Sequence, residues 1–234
     1  MDRPRGRRGG VRPLPGDVRR VRTAPRGARS RLRVLTEEIC TIVLDRARSS
    51  ETVNLLSLGS GPGHEILGCL ERLGRQVRVA ATCVDRDPRA LQYGETLAVQ
   101  KGLDGQVRYV AGNIFCMDAL PTNQDIVVLS GLLDYFDAAT AVSVLAKARE
   151  RLRPGGLVLV ANMRRHGLAA VMSLLGNWNL VYREPEDVER LLAEGGFCDI
   201  KVGLEPEKVF CVGRGQNLRT SEALAGQPST DTSL

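Results

Sequence analysis

A chain of 234 residues is long enough for one α/β domain with a substantial core and short for two. Hydrophobic residues make up 43% of it, and no apolar run reaches the roughly 18 residues that cross a bilayer, which excludes a membrane span. The net charge of +6 is unevenly distributed along the chain. Residues 1–33 hold 12 Arg against two acidic residues, whereas the remaining residues carry a net charge of −4. The part of the chain after residue 33 therefore offers no basic face to nucleic acid.

Residues 1–30 are rich in Arg, Gly and Pro and carry few large apolar side chains, which predicts a disordered tail, with a binding arm as the alternative. Arg7–Arg8 and Arg19–Arg20 are paired as in some export signals, but no apolar segment follows either pair, so we expect a cytoplasmic protein. Apolar residues then take up helical spacing and predict an amphipathic helix over Leu32–Ala47.

From Val53 onward, short apolar runs alternate with segments of helical periodicity. The predicted strands are Val53–Leu58, Arg78–Val84, Val107–Val110, Ile126–Leu129 and Leu157–Ala161. The predicted helices between them are His64–Leu73, Pro88–Lys101 and Thr140–Leu152. This alternation indicates an α/β fold with parallel strands, right-handed crossovers and helices on both faces of a doubly wound sheet.

The pattern changes after Ala161. Two helices, Leu168–Leu175 and Glu184–Glu194, precede two short strands, Asp199–Val202 and Val209–Val212, which should form an antiparallel hairpin at the sheet edge. We therefore assign residues 31–214 to one domain and residues 215–234 to a loose tail. Six Cys without a CxxC pair are expected to be small buried hydrophobes in a reducing compartment, and no metal site is predicted.

The strongest motif is LLSLGSGPGHE, Leu55–Glu65, in which an apolar strand runs into glycines and then a helix. Glycines allow a sharp turn close to a ligand, and the helix amino terminus offers unpaired N–H groups. The candidate binding residues are Gly59, Ser60, Gly61 and Gly63, with a purely structural turn as the alternative. The spacing GxGxG, rather than GxGxxG, argues against a nicotinamide or flavin enzyme and matches the glycine loop of Rossmann-like methyltransferases.

The segment TCVDRDP places Asp85, followed by Arg86, at the carboxyl end of the next strand. A carboxylate there can accept hydrogen bonds from both vicinal hydroxyls of a ribose, so we predict that Asp85 and Arg86 bind a nucleoside. The alternative role for an acidic residue here is a helix N-cap. That role suits Asp87 better, because Asp87 directly precedes Pro88.

Two further strand ends carry candidate binding residues. The Asn113 amide can hydrogen-bond the adenine amino group while Ile114 covers the ring, although a Gly-Asn pair can also be a simple turn. Ser130, Gly131 and Leu132 follow the fourth strand, at the edge of the sheet where the binding crevice of such folds lies.

In this order, over residues 50–214, these elements resemble the class I S-adenosylmethionine-dependent methyltransferases. LSLGSGPGHE, SGLLDYFD, RLRPGG and WNLVYRE further resemble the subgroup related to enzymes that make 3-hydroxypalmitic acid methyl ester signals. The resemblance implies a Rossmann-like seven-stranded sheet with an antiparallel last strand, and S-adenosyl-L-methionine as the cofactor. Residues 130–132 would line its methionine portion.

Many members carry an acidic residue two positions before the first glycine, where this chain has Ser57. The resemblance therefore makes Glu65 the candidate for binding the cofactor's ammonium group, with a first-turn helix acid as the alternative. It also places a second set of residues over the methyl acceptor, namely Asp134, Tyr135, Trp178, Tyr182 and Arg183.

Within that set, Arg183 could pair a carboxylate bidentately. The alternative for Trp178 and Tyr182 is ordinary packing beneath a loop. Arg164–His166 are expected to form a solvated cluster.

The sequence thus predicts a methyltransferase that transfers a methyl group to oxygen, at a carboxylate or hydroxyl of a lipid-like or specialised metabolite. The alternatives are an N-methyltransferase, an inactive cofactor-binding partner subunit, and an RNA methyltransferase that uses the basic tail. The expected partner is a small-molecule substrate, without membrane or nucleic acid, and a homodimer is left open.

Overall fold

The computed structural model describes residues 23–166 and 180–218. The helices are α1 (Thr23–Arg46), α2 (His64–Leu73), α3 (Pro88–Gln100), α4 (Ala138–Arg151) and α5 (Pro185–Glu194). The strands are β1 (Thr52–Leu58), β2 (Arg78–Asp85), β3 (Val107–Ala111), β4 (Gln124–Ser130), β5 (Leu152–Met163), β6 (Cys198–Leu204) and β7 (Phe210–Gln216). The predicted helix Leu168–Leu175 and the candidate Trp178 lie outside the described residues.

The seven strands form one sheet in the order β3-β2-β1-β4-β5-β7-β6. Strands β1 to β5 pair in parallel, whereas β7 runs antiparallel to both of its neighbours. The predicted doubly wound sheet with an antiparallel last strand is therefore confirmed. The strand order reverses between β1 and β4, and in such sheets the crevice for ligands opens at the carboxyl ends of the strands beside this reversal.

The buried residues of β1 divide between the two faces of the sheet. Val53 and Leu55 belong to the apolar cluster under α1, α2 and α3, whereas Leu56 and Leu58 belong to the cluster under α4 and α5. Because successive side chains of a strand point to opposite faces, a strand covered on both sides must be apolar throughout. This explains why β1 is a nearly continuous apolar run rather than an alternating one.

The segment RLRPGG, residues 151–156, covers the last residue of α4 and the start of β5, whereas the sequence predicted this strand only from Leu157. Strand β5 begins at Leu152, and its register with β4 shifts between Gln124 and Ile126, so the Pro-Gly-Gly residues form an irregularity in the strand. A bulge of this kind accommodates proline and glycine, which are unfavourable in a strand with regular hydrogen bonding to both neighbours.

Helix α1 begins at Thr23, well before the predicted start at Leu32, so residues 23–30 belong to a helix and not to the predicted tail. Arg and Gly dominate these residues, but adding turns to an existing helix costs little once the apolar stripe of Leu35, Ile39 and Val43 has anchored it. At the other end, β7 extends to Gln216, and residues 1–22 and 219–234 lie outside the description.

Residues 23–166 and 180–218 also show the character of the helices and the state of the cysteines. None of their helices combines the length and apolar character that a membrane crossing requires. The six Cys are free thiols, four of which are buried, while Cys116 is exposed and Cys198 is half-buried.

Candidate functional site

The loops at the carboxyl ends of β1, β2, β3 and β4 enclose a cavity of about 760 Å³. Such a volume is typical of pockets that bury a small ligand. Most of the predicted site residues line it: Gly59, Ser60, Gly61, Glu65, Asp85, Arg86, Asn113, Ile114, Ser130, Gly131, Leu132, Asp134 and Tyr135. The three that do not line it are Gly63, Tyr182 and Arg183.

Asp85 joins the glycine loop to the end of β2. Its Oδ2 accepts a hydrogen bond from the Gly61 N–H at 2.7 Å, and its Oδ1 accepts one from the Asp87 N–H at 2.9 Å. The carboxylate therefore has a set orientation at the cavity lining before any ligand arrives. Asp87 is the N-cap of α3 and accepts a hydrogen bond from the Arg89 N–H at 3.0 Å, which confirms the N-cap role predicted for Asp87.

Gly63 serves packing rather than the cavity. It caps α2 with φ of 72°, in the left-handed region, and a Cβ atom at this position would lie 2.8 Å from Cys83 Sγ. A side chain is therefore excluded both by backbone conformation and by the close approach of β2. The absence of a side chain at Gly63 lets α2 pack closely against β2, and its predicted cofactor contact stays a prediction.

Asn113 and Ile114 both line the cavity beyond β3. The Asn113 side-chain oxygen accepts a hydrogen bond from the Phe115 N–H at 3.0 Å, which makes the local turn that the sequence left open as an alternative. The turn and the position at the cavity are compatible, because the same hydrogen bond orients the amide at the lining.

Glu65, in the first turn of α2, is 6% exposed and lines the cavity. Burial raises the pKa of this carboxyl, and the hydrogen bond to backbone N–H and the positive charge of Arg31 oppose that shift only in part. A buried carboxyl of this kind gains from the arrival of a cation, which compensates its lost hydration.

Asp134, 3% exposed, follows β4 and faces the cavity. Its Oδ1 accepts a hydrogen bond from the Met163 N–H at 2.8 Å. Burial raises the pKa of Asp134 to about 6, against the opposing effects of that hydrogen bond and of the charges on Arg31 and Arg183. The next residue, Tyr135, is 55% exposed and stands at the cavity rim.

Arg183, which the sequence predicted to bind an acceptor, does not line the cavity. Its guanidinium is buried and donates to three protein oxygens: Leu133 O at 2.7 Å, Asn162 Oδ1 at 2.8 Å and Phe136 O at 2.6 Å. These bonds tie the segment before α5 to the turn after β4 and to strand β5. Arg183 is a structural brace because its hydrogen-bonding capacity is already used within the protein.

Tyr182 packs behind the cavity rather than in it. Its ring contacts the cluster of Met163, Val209 and Phe210, and the Arg165 guanidinium and the His166 ring lie against it at 5.9 and 6.1 Å. Tyr182 thus packs against this cluster, as the alternative to acceptor binding proposed. Of residues 164–166, predicted to be solvated, Arg165 is exposed and lies over the ring, whereas Arg164 pairs with Glu184.

Sequence reasoning missed several residues of the cavity. Met163, Leu180 and Phe210 form an apolar wall at the end of the cavity near Asp134, and Arg31 reaches the same end from α1. A signal for Arg31 existed, because Ala28, Arg31 and Leu35 fall on one face of a helix once the helix is extended backwards. The residues of the apolar wall come from three segments that are distant in the sequence, and contacts between such segments cannot be predicted from local periodicity.

Comparison with known proteins gives a match over part of the chain. Residues 55–156 match the sequence profile of a methyltransferase domain. Its curated relative TcmO of Streptomyces glaucescens, the tetracenomycin polyketide synthesis 8-O-methyl transferase, is 29% identical over 164 residues, or 65% of this chain. The chain spans about half of TcmO, 46% of its length.

Solved structures give the same fold. A possible exported protein from Bordetella parapertussis superimposes with a TM-score of 0.68 at 18% identity, over 84% of this chain and 70% of its own. The S-adenosylmethionine-dependent methyltransferase SibL superimposes with a TM-score of 0.59 at 25% identity, over 79% of this chain and 56% of its own. The cofactor of the methyltransferase domain is S-adenosylmethionine.

Proposed function

We propose that this protein transfers the methyl group of S-adenosylmethionine to an oxygen atom, at a hydroxyl or carboxylate of a small and largely apolar metabolite. The observation that carries the proposal is the division of one cavity into two chemically different ends. One end has the glycine loop and Asp85, and the other has Asp134 beside the apolar wall of Met163, Leu180 and Phe210.

The residues at the first end suit the cofactor. The oriented Asp85 carboxylate can receive the two ribose hydroxyls, and Asn113 with Ile114 can receive the adenine. Glu65 suits the ammonium group of the methionine portion, because a buried carboxyl with a raised pKa is stabilised by a neighbouring cation. Ser130, Gly131 and Leu132 lie between the two ends.

When bound, S-adenosylmethionine supplies an activated methyl group on a sulfonium, so the protein need not generate a strong electrophile. The main task of the residues is to align the acceptor with that methyl group in a cavity from which water is excluded. An acceptor hydroxyl must also lose a proton, and we propose that Asp134 takes it. Carboxyl groups with pKa values near the working pH are effective proton acceptors.

Transfer to oxygen agrees with the name of TcmO, an 8-O-methyl transferase of polyketide synthesis. The resemblance to the 3-hydroxypalmitic acid methyl ester subgroup points to oxygen as well, through a carboxylate. An acceptor from specialised metabolism with an apolar body fits the apolar wall of Met163, Leu180 and Phe210.

Calorimetric titration with S-adenosylmethionine tests the cofactor end. We expect Asp85→Ala to weaken binding by about 1–3 kcal/mol, because a buried ribose would lose charge-assisted hydrogen bonds. Asp87→Ala is the matched control, since it removes an exposed N-cap two residues away and should leave the affinity within about twofold. Equal affinities for wild type and Asp85→Ala would rule out the ribose assignment.

Incubation of the protein with a metabolite extract and trideuteromethyl-labelled cofactor tests the reaction. The proposal expects labelled products whose fragmentation locates the new methyl group on oxygen. Label on nitrogen would make the protein an N-methyltransferase. Cofactor binding with no labelled product in any extract would favour a non-catalytic partner subunit.

A further inference from the structure

Arg31 enters the cavity from α1, outside the matched methyltransferase domain. A Cβ atom at residue 131 would lie 2.7 Å from Arg31 Nη1, so the guanidinium occupies space that exists because residue 131 is glycine. The Arg31 Cζ also lies 4.7 Å from the centroid of the Phe210 ring. Stacking of this kind orients a guanidinium without using its N–H groups.

Those N–H groups distinguish Arg31 from the structural arginines. Arg31 Nε is buried, and no described residue accepts a hydrogen bond from it. Arg46 and Arg149 also have an unpaired Nε, but each donates to a carbonyl oxygen through a terminal nitrogen. A guanidinium in a cavity without such a partner is suited to an oxygen atom of a ligand, because unpaired buried donors are costly.

Asp134 approaches the same point near Gly131. Its Oδ2 lies 3.5 Å from the position of a Cβ at residue 131, the same point that Arg31 Nη1 approaches. The two side chains are close enough for the charge of Arg31 to lower the pKa of Asp134, yet they form no direct ion pair within the described part of the chain. One ligand oxygen above Gly131 could therefore contact both groups.

We propose that Arg31 binds the acceptor oxygen and stabilises its negative charge while Asp134 takes its proton, so that the acceptor is an apolar molecule with an acidic hydroxyl, such as a phenol or enol. This inference rests on the proposed function. In the step, the O–H bond breaks and its proton passes to Asp134. The oxygen electron pair forms the new bond to the methyl carbon, and the electrons of the broken C–S bond stay on sulfur.

The pairing of the two groups selects the class of acceptor. A carboxylate would bring a second negative charge beside Asp134 and has no proton to give, so Asp134 would repel it. An aliphatic alcohol holds its proton too tightly for a carboxyl to remove. A phenolic hydroxyl, with a pKa of about 10, is within reach when an adjacent guanidinium stabilises the anion.

Binding of 4-nitrophenol to the protein saturated with S-adenosylhomocysteine tests this inference, because its anion absorbs visible light and its neutral form does not. At pH 7 we expect the ratio of anion to neutral form to be about tenfold higher for bound than for free nitrophenol, the effect of an adjacent opposite charge. Arg31→Gln should abolish that increase, and Arg31→Lys should retain part of it. Binding of S-adenosylhomocysteine should be retained, because the proposed ribose and adenine contacts do not involve Arg31.

Arg29→Gln is the matched control, since Arg29 is an exposed residue of the same helix that lines a separate groove between α1 and α2. It should leave the absorbance change intact. The inference is overturned if wild type does not bind nitrophenol or does not increase its ionisation, if Arg31→Gln behaves as wild type, or if that variant loses nucleoside affinity equally. Failure of S-adenosylhomocysteine to bind wild type would instead refute the proposed function.

Discussion

At Asp134, burial and two guanidinium groups act on one carboxyl in opposite directions. Burial raises its pKa to about 6, while the Met163 N–H, Arg31 and Arg183 favour the ionised form. Because the folded protein holds this proton more tightly than the unfolded chain, the contribution of Asp134 to stability is present at low pH and is lost as the pH rises through about 6. The site thus holds an ionised proton acceptor at neutral pH at some cost in stability.

We expect the rate of methyl transfer to rise with pH through about 6 and then to level off, because Asp134 must be ionised to accept the proton. The charged or titratable groups that act on it or feel its charge are Arg31, Arg183, Tyr182 and Cys211. Single-turnover rates measured between pH 5 and 8, roughly the range over which such a group titrates, check this expectation.

Asp134→Asn should lower the rate by about 100-fold or more and remove the rise near pH 6. Asp137→Asn is the control, because Asp137 is an exposed N-cap of α4 that accepts a hydrogen bond from the Thr140 N–H at 2.8 Å. A profile that keeps its rise in the Asp134 variant would assign the ionisation to another group.

At the scale of elements, Arg183 shows how a charged side chain can connect segments rather than bind a ligand. It joins the residues before α5 to the turn after β4 through Leu133 O and Phe136 O, and to β5 through Asn162 Oδ1. Asn162 in turn donates to Met163 O at 3.0 Å and to Val181 O at 3.1 Å. Since Met163 N–H binds Asp134, the brace and the site share one hydrogen-bond network.

We expect Arg183→Gln to lower the free energy of unfolding by about 3 kcal/mol, because it leaves buried carbonyl oxygens without donors. Urea unfolding followed by circular dichroism measures the change. Arg190→Gln, which removes an exposed arginine paired with Asp187 on α5, should change stability by less than about 1 kcal/mol. A marginal loss for the Arg183 variant would show that water replaces the brace.

For the glycine loop, the sequence predicts the backbone conformation but not the contacts that each glycine makes. The spacing of Gly59, Gly61 and Gly63 correctly indicates a strand, a tight turn and a helix. It does not show that Gly63 faces Cys83 instead of the cavity, because that depends on how closely α2 approaches β2. The start of α1 was predicted wrongly for a related reason. Residues 23–30 have the composition of a disordered tail, but they are helical because they extend a helix whose later turns pack against the core.

At the scale of the whole molecule, the two ends of the cavity come from different parts of the chain. The residues proposed to bind cofactor lie within residues 55–156, which match the methyltransferase domain. Arg31, Met163, Leu180 and Phe210 lie outside that match. Segments that vary around a common cofactor-binding core are a means of changing the acceptor without changing the chemistry.

Because the proposed cofactor contacts residues from four strand ends, its binding should stabilise the molecule as a unit. At about 100 times its dissociation constant, S-adenosylmethionine should raise the free energy of unfolding by about 2.7 kcal/mol. Thermal unfolding over a concentration series measures the rise, and Asp85→Ala should require correspondingly more cofactor. A melting temperature that does not depend on cofactor concentration would contradict binding at this cavity.

By itself, the sequence determined the alternation of strands and helices, the glycine turn and the position of Asp85. These are local patterns, and the carboxyl ends of parallel strands meet at one edge whatever the details of packing. Only the tertiary structure decided that Arg31 faces the cavity and Arg183 does not. The direction of each guanidinium depends on how α1 packs beside β7 and on how the segment before α5 meets the turn after β4 and strand β5. Neither contact can be predicted from the spacing of residues along the chain.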